Sequence, residues 1–280
     1  MRGIKQFAKP TSLEYALKML HMHQGDALIL AGGTHLALQK QTKYSFLIDI
    51  KELGFNYIKE EGDNIKIGAT TRPVDIINSD LLKEFAGGIL VEAASKIGSV
   101  LTRNLVTVGG NVYSMFPWSN LPSALLVLDA SVELRSIDES RIVKLQELLQ
   151  GNPRKFVEKN ELITSIIIPK SSKNLKTSYK VFSLTENDYD IAILAVGLSM
   201  ESSICKGARI ALGAAISPCD LLPEVEKILE NQELSSGLIE KVANKAIENI
   251  SLIKDFRTTD QHRIDVVKIL IKRALEEIRV

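Results

Sequence analysis

Two short segments of this 280-residue chain pair glycines with polar donors, Ala31-Gly-Gly-Thr-His-Leu36 and Thr107-Val-Gly-Gly-Asn111. Each follows an aliphatic or β-branched run, so each reads as a strand entering a glycine turn. Paired glycines leave no side chain over the backbone, and consecutive N–H groups can then point at one anion. Thr34, Thr107 and Asn111 add side-chain donors suited to phosphate oxygens. Two such loops facing each other would hold a diphosphate, and a branched side chain at Gly33 or Gly110 would then block it. Two unrelated tight turns would use the same residues, and the spacing alone names no cofactor.

Other chemistry is missing. There is no Gly-x-Gly-x-x-Gly, no Walker loop and no Gly-x-Ser-x-Gly elbow. His21 and His23 are neighbours among the four histidines, but two positions apart on a helix they point to different faces. A metal site needs three or four converging groups, so none is expected. The two cysteines, Cys205 and Cys219, are isolated. They cannot ligate an iron–sulfur cluster or a structural zinc by themselves, and they read as small buried hydrophobes.

The elements that must position these loops come from the hydrophobic pattern. Hydrophobic residues at 45% and charged residues at 25% describe a globular chain. A net charge of +1 argues against a nucleic-acid surface. The longest apolar stretch, about 191–200, is half of what a membrane span needs. The N-terminus has no hydrophobic region followed by a cleavage site, so a cytoplasmic protein is expected. Thr11 or Ser12 can cap a helix carrying Leu13, Ala16, Leu17 and Leu20. Strands are predicted at 27–30, 44–50, 64–68, 130–134 and 163–168, with helical pattern over 72–97 and a short helix at 122–128. Pro169 and the polar residues 170–174 mark a flexible domain boundary. Beyond it, strands at 180–182, 192–200 and 208–215 precede helices at 222–230, 238–249 and 263–278, an α+β arrangement.

In order and spacing these segments resemble the FAD-binding medium subunits of the molybdenum hydroxylases, the carbon monoxide dehydrogenase and xanthine dehydrogenase family. Ala31-Gly-Gly-Thr-His-Leu36 is similar to that family's first diphosphate loop, and Thr107-Val-Gly-Gly-Asn-Val112 to its second. Ile67-Gly-Ala-Thr-Thr71 resembles its Gly-Ala-Thr-Thr strand, and the segment from Asn120-Leu-Pro to Ala130 its Asp-Leu-Pro helix with the strand that follows. Leu162-Ile-Thr-Ser-Ile-Ile-Ile-Pro169 resembles the strand closing the FAD domain. Asp190-Ile-Ala192, Ala208-Arg-Ile-Ala-Leu-Gly213 and Asp255-Phe-Arg257 resemble the C-terminal flavoprotein domain.

The resemblance implies an α+β fold: a two-lobed FAD-binding domain of the vanillyl-alcohol-oxidase (PCMH) type over 1–170, its lobes about 1–55 and 56–170, then an α+β C-terminal domain over 175–280. It implies FAD, with the diphosphate held by Leu30, Ala31, Gly32, Gly33, Thr34, His35 and Leu36 on one side. Thr107, Gly109, Gly110 and Asn111 hold the other. Ile97, Asn120, Leu162, Lys180, Asp190 and Ile191 are then expected near the cofactor, the last two beside the isoalloxazine.

Departures from the family pattern are Asn120 where Asp is usual, Arg72 where His often follows Gly-Ala-Thr-Thr, and an aromatic run at 113–118 where small residues are expected. Because the chain lacks molybdopterin and 2Fe–2S signatures, the resemblance implies a molybdopterin-binding large subunit and a 2Fe–2S small subunit as partners, in a dimer of heterotrimers. NAD or another acceptor would take the electrons. A self-sufficient flavin reductase of the UDP-N-acetylenolpyruvylglucosamine reductase type shares the N-terminal fold and is the alternative.

Overall fold

The computed structural model describes residues 2–279, and among them three β-sheets carry the architecture. The first is small and parallel: Gln6–Ala8 and Ala27–Leu30 flank Phe46–Asp49. Helix Leu13–Met22 covers it. Ser12 stands at the N-cap in an extended conformation, and its hydroxyl accepts from the Tyr15 N–H. The predicted stripe turns inward, where Leu17 and Leu20 meet Phe46, Ile48, Ile50 and Leu162 in one apolar cluster. Leu162 belongs to a strand of the second sheet, so this small core also ties the lobes together.

The second sheet is antiparallel, in the order Ile58–Glu61, Asn64–Gly68, Leu162–Pro169, Ser131–Arg135, Ser140–Lys144. Helix Leu121–Val127 is buried at every position. It lies between this lobe and the C-terminal sheet, touching Ile89–Ser95 on one side and the strands Ala192–Glu201 and Ile204–Gly213 on the other. A helix apolar all round is what such a double interface requires. The third sheet runs Asp220–Leu221, Ile204–Gly213, Ala192–Glu201, Lys176–Phe182, all antiparallel, with Gln232–Glu233 on the edge. Helices Ser236–Lys245 and Asp260–Arg279 pack with Pro223–Leu229 against it through a separate core. This is the expected α+β layout. No helix of the described residues is long and apolar enough to cross a membrane.

Strands Gln6–Ala8, Ile58–Glu61 and Ser140–Lys144 were not legible in the pattern. All three lie at sheet edges and are largely exposed, so no alternation of buried residues marks them. The segment after Pro169 is also less loose than its polarity implies. It forms a short 3-10 turn, Lys170–Ser172. The buried Ser172 hydroxyl donates to the Leu128 carbonyl at 3.0 Å, and the Ala86 N–H donates to the Lys173 carbonyl at 2.9 Å.

Candidate functional site

The first glycine loop leaves the strand Ala27–Leu30 as predicted. Gly33 has φ +74, a left-handed conformation that favours glycine. Gly32 is required for a different reason: a Cβ there would lie 1.9 Å from the Leu105 carbonyl oxygen. The loop is therefore pressed against the backbone just before the second glycine segment. The N–H groups of Gly32, Gly33, Thr34 and His35 have no acceptor among the described residues. Beside them lies a cavity of about 390 Å³ lined by Leu30, Thr34, Leu36, Ala37, Leu47 and Leu105. A run of free N–H groups next to an apolar hollow fits an anionic ligand that also carries an apolar portion.

The second glycine pair is not a turn after a strand. Thr107 is the N-cap of helix Val108–Ser114, and Gly109 and Gly110 lie in its first turn. The Thr107 hydroxyl accepts from Gly110 N–H at 3.2 Å, while Val108 and Gly109 N–H groups donate to the carbonyls of Thr71 and Ala69, each at 2.9 Å. Those donors are spent within the protein. Gly109 is small because the helix lies on the end of the Gly-Ala-Thr-Thr strand, where its Cβ would come 2.9 Å from Ala69 Cβ. What this segment offers a ligand is side-chain chemistry: Asn111 Oδ1 and the Thr70 hydroxyl are buried without a hydrogen-bond partner. The run Leu105-Val106-Thr107-Val108 looks like a strand in sequence, and the Thr107 cap decides otherwise.

The aromatic run after that helix crosses the site. Met115 ends the helix at φ +47. Beyond it Phe116 meets the His35 ring edge-on at 4.8 Å between centroids, and stacks with Trp118 at 5.3 Å. Trp118 stacks in turn with Tyr189 at 4.5 Å. A ladder of rings thus joins the first glycine loop to the C-terminal domain. The neighbouring residues form a polar link across the same boundary. Asn120 Nδ2 donates to Asp190 Oδ2 at 2.7 Å, and the Tyr179 hydroxyl donates to the Asn120 carbonyl at 3.1 Å. Burial pushes the Asp190 carboxyl up to about 6; the Asn120 bond and the charges of Lys96 and Arg257 pull the other way.

The remaining expected residues are placed as follows. Leu36 begins a single 3-10 turn and faces the cavity. Ile97 is 6% exposed within the core of the second lobe, and Leu162 is buried between the lobes. The Lys180 ammonium pairs with Glu277 of the last helix at 2.5 Å. Ile191 is wholly buried, its N–H bonded to the Phe182 carbonyl. The structure therefore brings the first loop, Phe116, Trp118, Asn120, Tyr189 and Asp190 into one row, while Ile97, Leu162 and Ile191 present themselves as core. Sequence reasoning missed Tyr189 and Arg263. Arg263 carried a signal, since it occupies a core position of the stripe Val266, Val267, Leu270, Ile271 and Ala274.

A loop of unbonded N–H groups beside an apolar hollow, with an α+β domain reaching back to it through the aromatic ladder, suits a flavin-binding protein. The chain belongs to the molybdopterin dehydrogenase FAD-binding family: residues 3–171 match the FAD binding domain in molybdopterin dehydrogenase, and residues 177–278 match the CO dehydrogenase flavoprotein C-terminal domain. It is an FAD-binding component of an oxidoreductase. The glyceraldehyde dehydrogenase medium chain of Sulfolobus acidocaldarius is 29% identical over 97% of both chains. The carbon monoxide dehydrogenase medium chain of Afipia carboxidovorans is 28% identical over 98% of this chain and 96% of that one. A solved chain of the Cu,Mo-CO dehydrogenase in its cyanide-inactivated form superposes with a TM-score of 0.93 at 27% identity, covering 100% of this chain and 99% of the other.

Proposed function

We propose that this chain is the flavin subunit of a cytoplasmic molybdenum hydroxylase and that electrons leave the complex through it. A molybdopterin-binding large subunit would oxidise the substrate, and a 2Fe–2S small subunit would deliver the electrons. NAD or another acceptor would collect them, and the assembly would be a dimer of heterotrimers. The observation that carries the reading is the loop at 32–35, four free backbone donors beside an apolar hollow that Leu105 of the second lobe also lines.

FAD bound here would accept and release electrons, a chemistry no side chain of this chain supplies. The chain's own part is placement. Leu30 and residues 31–36 would hold the diphosphate from one side, with the Thr107 hydroxyl and the Asn111 amide on the other and Gly109 and Gly110 leaving room for it. Asn120 and Asp190 would meet the polar edge of the ring system, with Ile97, Leu162, Lys180 and Ile191 supporting it from behind. The aromatic ladder would shield that edge from water. The same reading takes 1–170 and 175–280 as the two domains.

The subunit reading predicts a clean separation of binding from reduction. The purified chain should retain FAD and remain oxidised when mixed anaerobically with any hydroxylase substrate. Adding the molybdenum and iron–sulfur subunits should bleach the flavin absorbance. Substrate-driven bleaching of the isolated chain would overturn the reading in favour of a self-sufficient reductase.

A further inference from the structure

Among the described residues Arg263 is the largest fully buried side chain. It sits in the first turn of helix Asp260–Arg279, on the inward face. Its Nη1 donates to the Ile191 carbonyl at 2.6 Å and to the Ala214 carbonyl at 3.0 Å, and its Nη2 to Asp255 Oδ2 at 3.2 Å. Arg257 lies beside it and shares the same carboxylate at 2.7 Å. Arg257 Nη1 donates to the carbonyls of Tyr189 at 2.9 Å and Asp190 at 3.2 Å. Three consecutive carbonyls, 189 to 191, are thus taken by two guanidinium groups that meet on Asp255.

The consequence is directional. With those carbonyls drawn toward the cations, the Tyr189 ring and the Asp190 carboxylate are left on Trp118 and Asn120. The second bond of Arg263 leads to the boundary by way of Ala214. Ala214, whose carbonyl it holds, donates its N–H to the Pro117 carbonyl at 2.9 Å. Pro117 adjoins Trp118, so Arg263 reaches the Trp118 side of the stack through Ala214, while Arg257, joined to it at Asp255, holds the Tyr189 side.

Stability alone does not call for such an arrangement. A buried charge is costly to desolvate, and apolar residues of similar volume often serve a core as well. The rest of that helix stripe, Val266, Val267, Leu270 and Ile271, is apolar. What a guanidinium adds is several fixed donors on one rigid plane.

We propose that Arg263 and Arg257, joined by Asp255, act as positioning residues that set Tyr189, Asp190 and Trp118 against the flavin. The proposal rests on the reading above that these three residues line the FAD site. Trp118 is the single tryptophan of the chain, so its emission reports on the stack directly.

The test uses the full-length FAD-loaded protein and the variants Arg257→Gln, Arg257→Lys and Arg263→Lys. Trp118 emission, visible circular dichroism of the bound flavin, FAD content on dilution and melting temperature are recorded for each. Arg257→Gln should red-shift Trp118 emission, alter the flavin dichroism and weaken FAD retention roughly tenfold, the loss expected for a charge-assisted hydrogen bond. Arg257→Lys should recover part of each change, and Arg263→Lys should fall between Arg257→Gln and the parent. Parent-like Trp118 emission and dichroism in folded Arg257→Gln and Arg263→Lys, with only a lower melting temperature, would overturn the proposal. Asp190→Asn and Trp118→Phe separate the two layers of the argument. If neither changes the flavin signals, the placement of these residues at FAD fails, while the Trp118 shift in Arg257→Gln still decides the clamp.

Discussion

Gly32→Ala should yield a folded protein that has lost most of its FAD. The added methyl group would stand 1.9 Å from the Leu105 carbonyl oxygen, a backbone atom that cannot swing aside as a side-chain tip can. The loop must move off, and its four free N–H groups move with it. Overpacking of this kind costs about 1–3 kcal/mol, which as a binding loss is roughly fivefold to more than a hundredfold. The loop is at the edge of a cavity and not in the core, so the melting temperature of the FAD-free protein should fall only slightly. Gly110→Ala is the instructive contrast. Its Cβ would meet only the Thr107 hydroxyl, at 2.8 Å, and alanine favours a helix over glycine by about 1 kcal/mol. Its FAD loss should be the smaller. Flavin content measured by absorbance after gel filtration ranks the two; a Gly32→Ala protein with parent-like flavin would remove the first loop from the site.

Asp190→Asn should stabilise the protein relative to the parent, and clearly more at pH 8 than at pH 4.5. The folded carboxyl titrates near 6 against an ordinary 3.8 because burial disfavours its charged form. The fold therefore favours protonated Asp190. That contribution is complete below the unfolded value and is lost as pH rises through the folded one. By pH 8 the parent carries a penalty on the order of 2–3 kcal/mol, which asparagine does not. Its amide keeps an acceptor for Asn120 Nδ2. Urea midpoints of both proteins between pH 4.5 and 8 check this. Parallel curves would show that Asp190 titrates as an ordinary surface acid.

Much of the architecture could be read from the residues. Helix Leu13–Met22 announces itself through a serine cap and a stripe at helical spacing. The strands Ala27–Leu30, Asn64–Gly68 and Leu162–Pro169 do so through β-branched or aliphatic runs bounded by turn residues. The glycine turn at 32–33 was legible for the same reason, because glycine pairs after a strand have few uses. These signals are local, and local signals survive in a sequence.

The second glycine pair was misread because its meaning is set elsewhere in the chain. Whether Gly109 and Gly110 form a turn or a helix depends on where their N–H groups find acceptors, and those are Ala69 and the Thr107 hydroxyl. The ladder from His35 through Phe116 and Trp118 to Tyr189 joins three separated segments. So does the Arg263 clamp, whose partners lie 72 and 49 residues away. By itself the sequence determined the core strands and most helices, the glycine turn after Ala27–Leu30 and, through its ordered motifs, the family. Only the tertiary structure decided which donors are free and which are spent. A hydrogen bond between distant residues leaves no periodic trace, because its geometry exists only once the chain has packed.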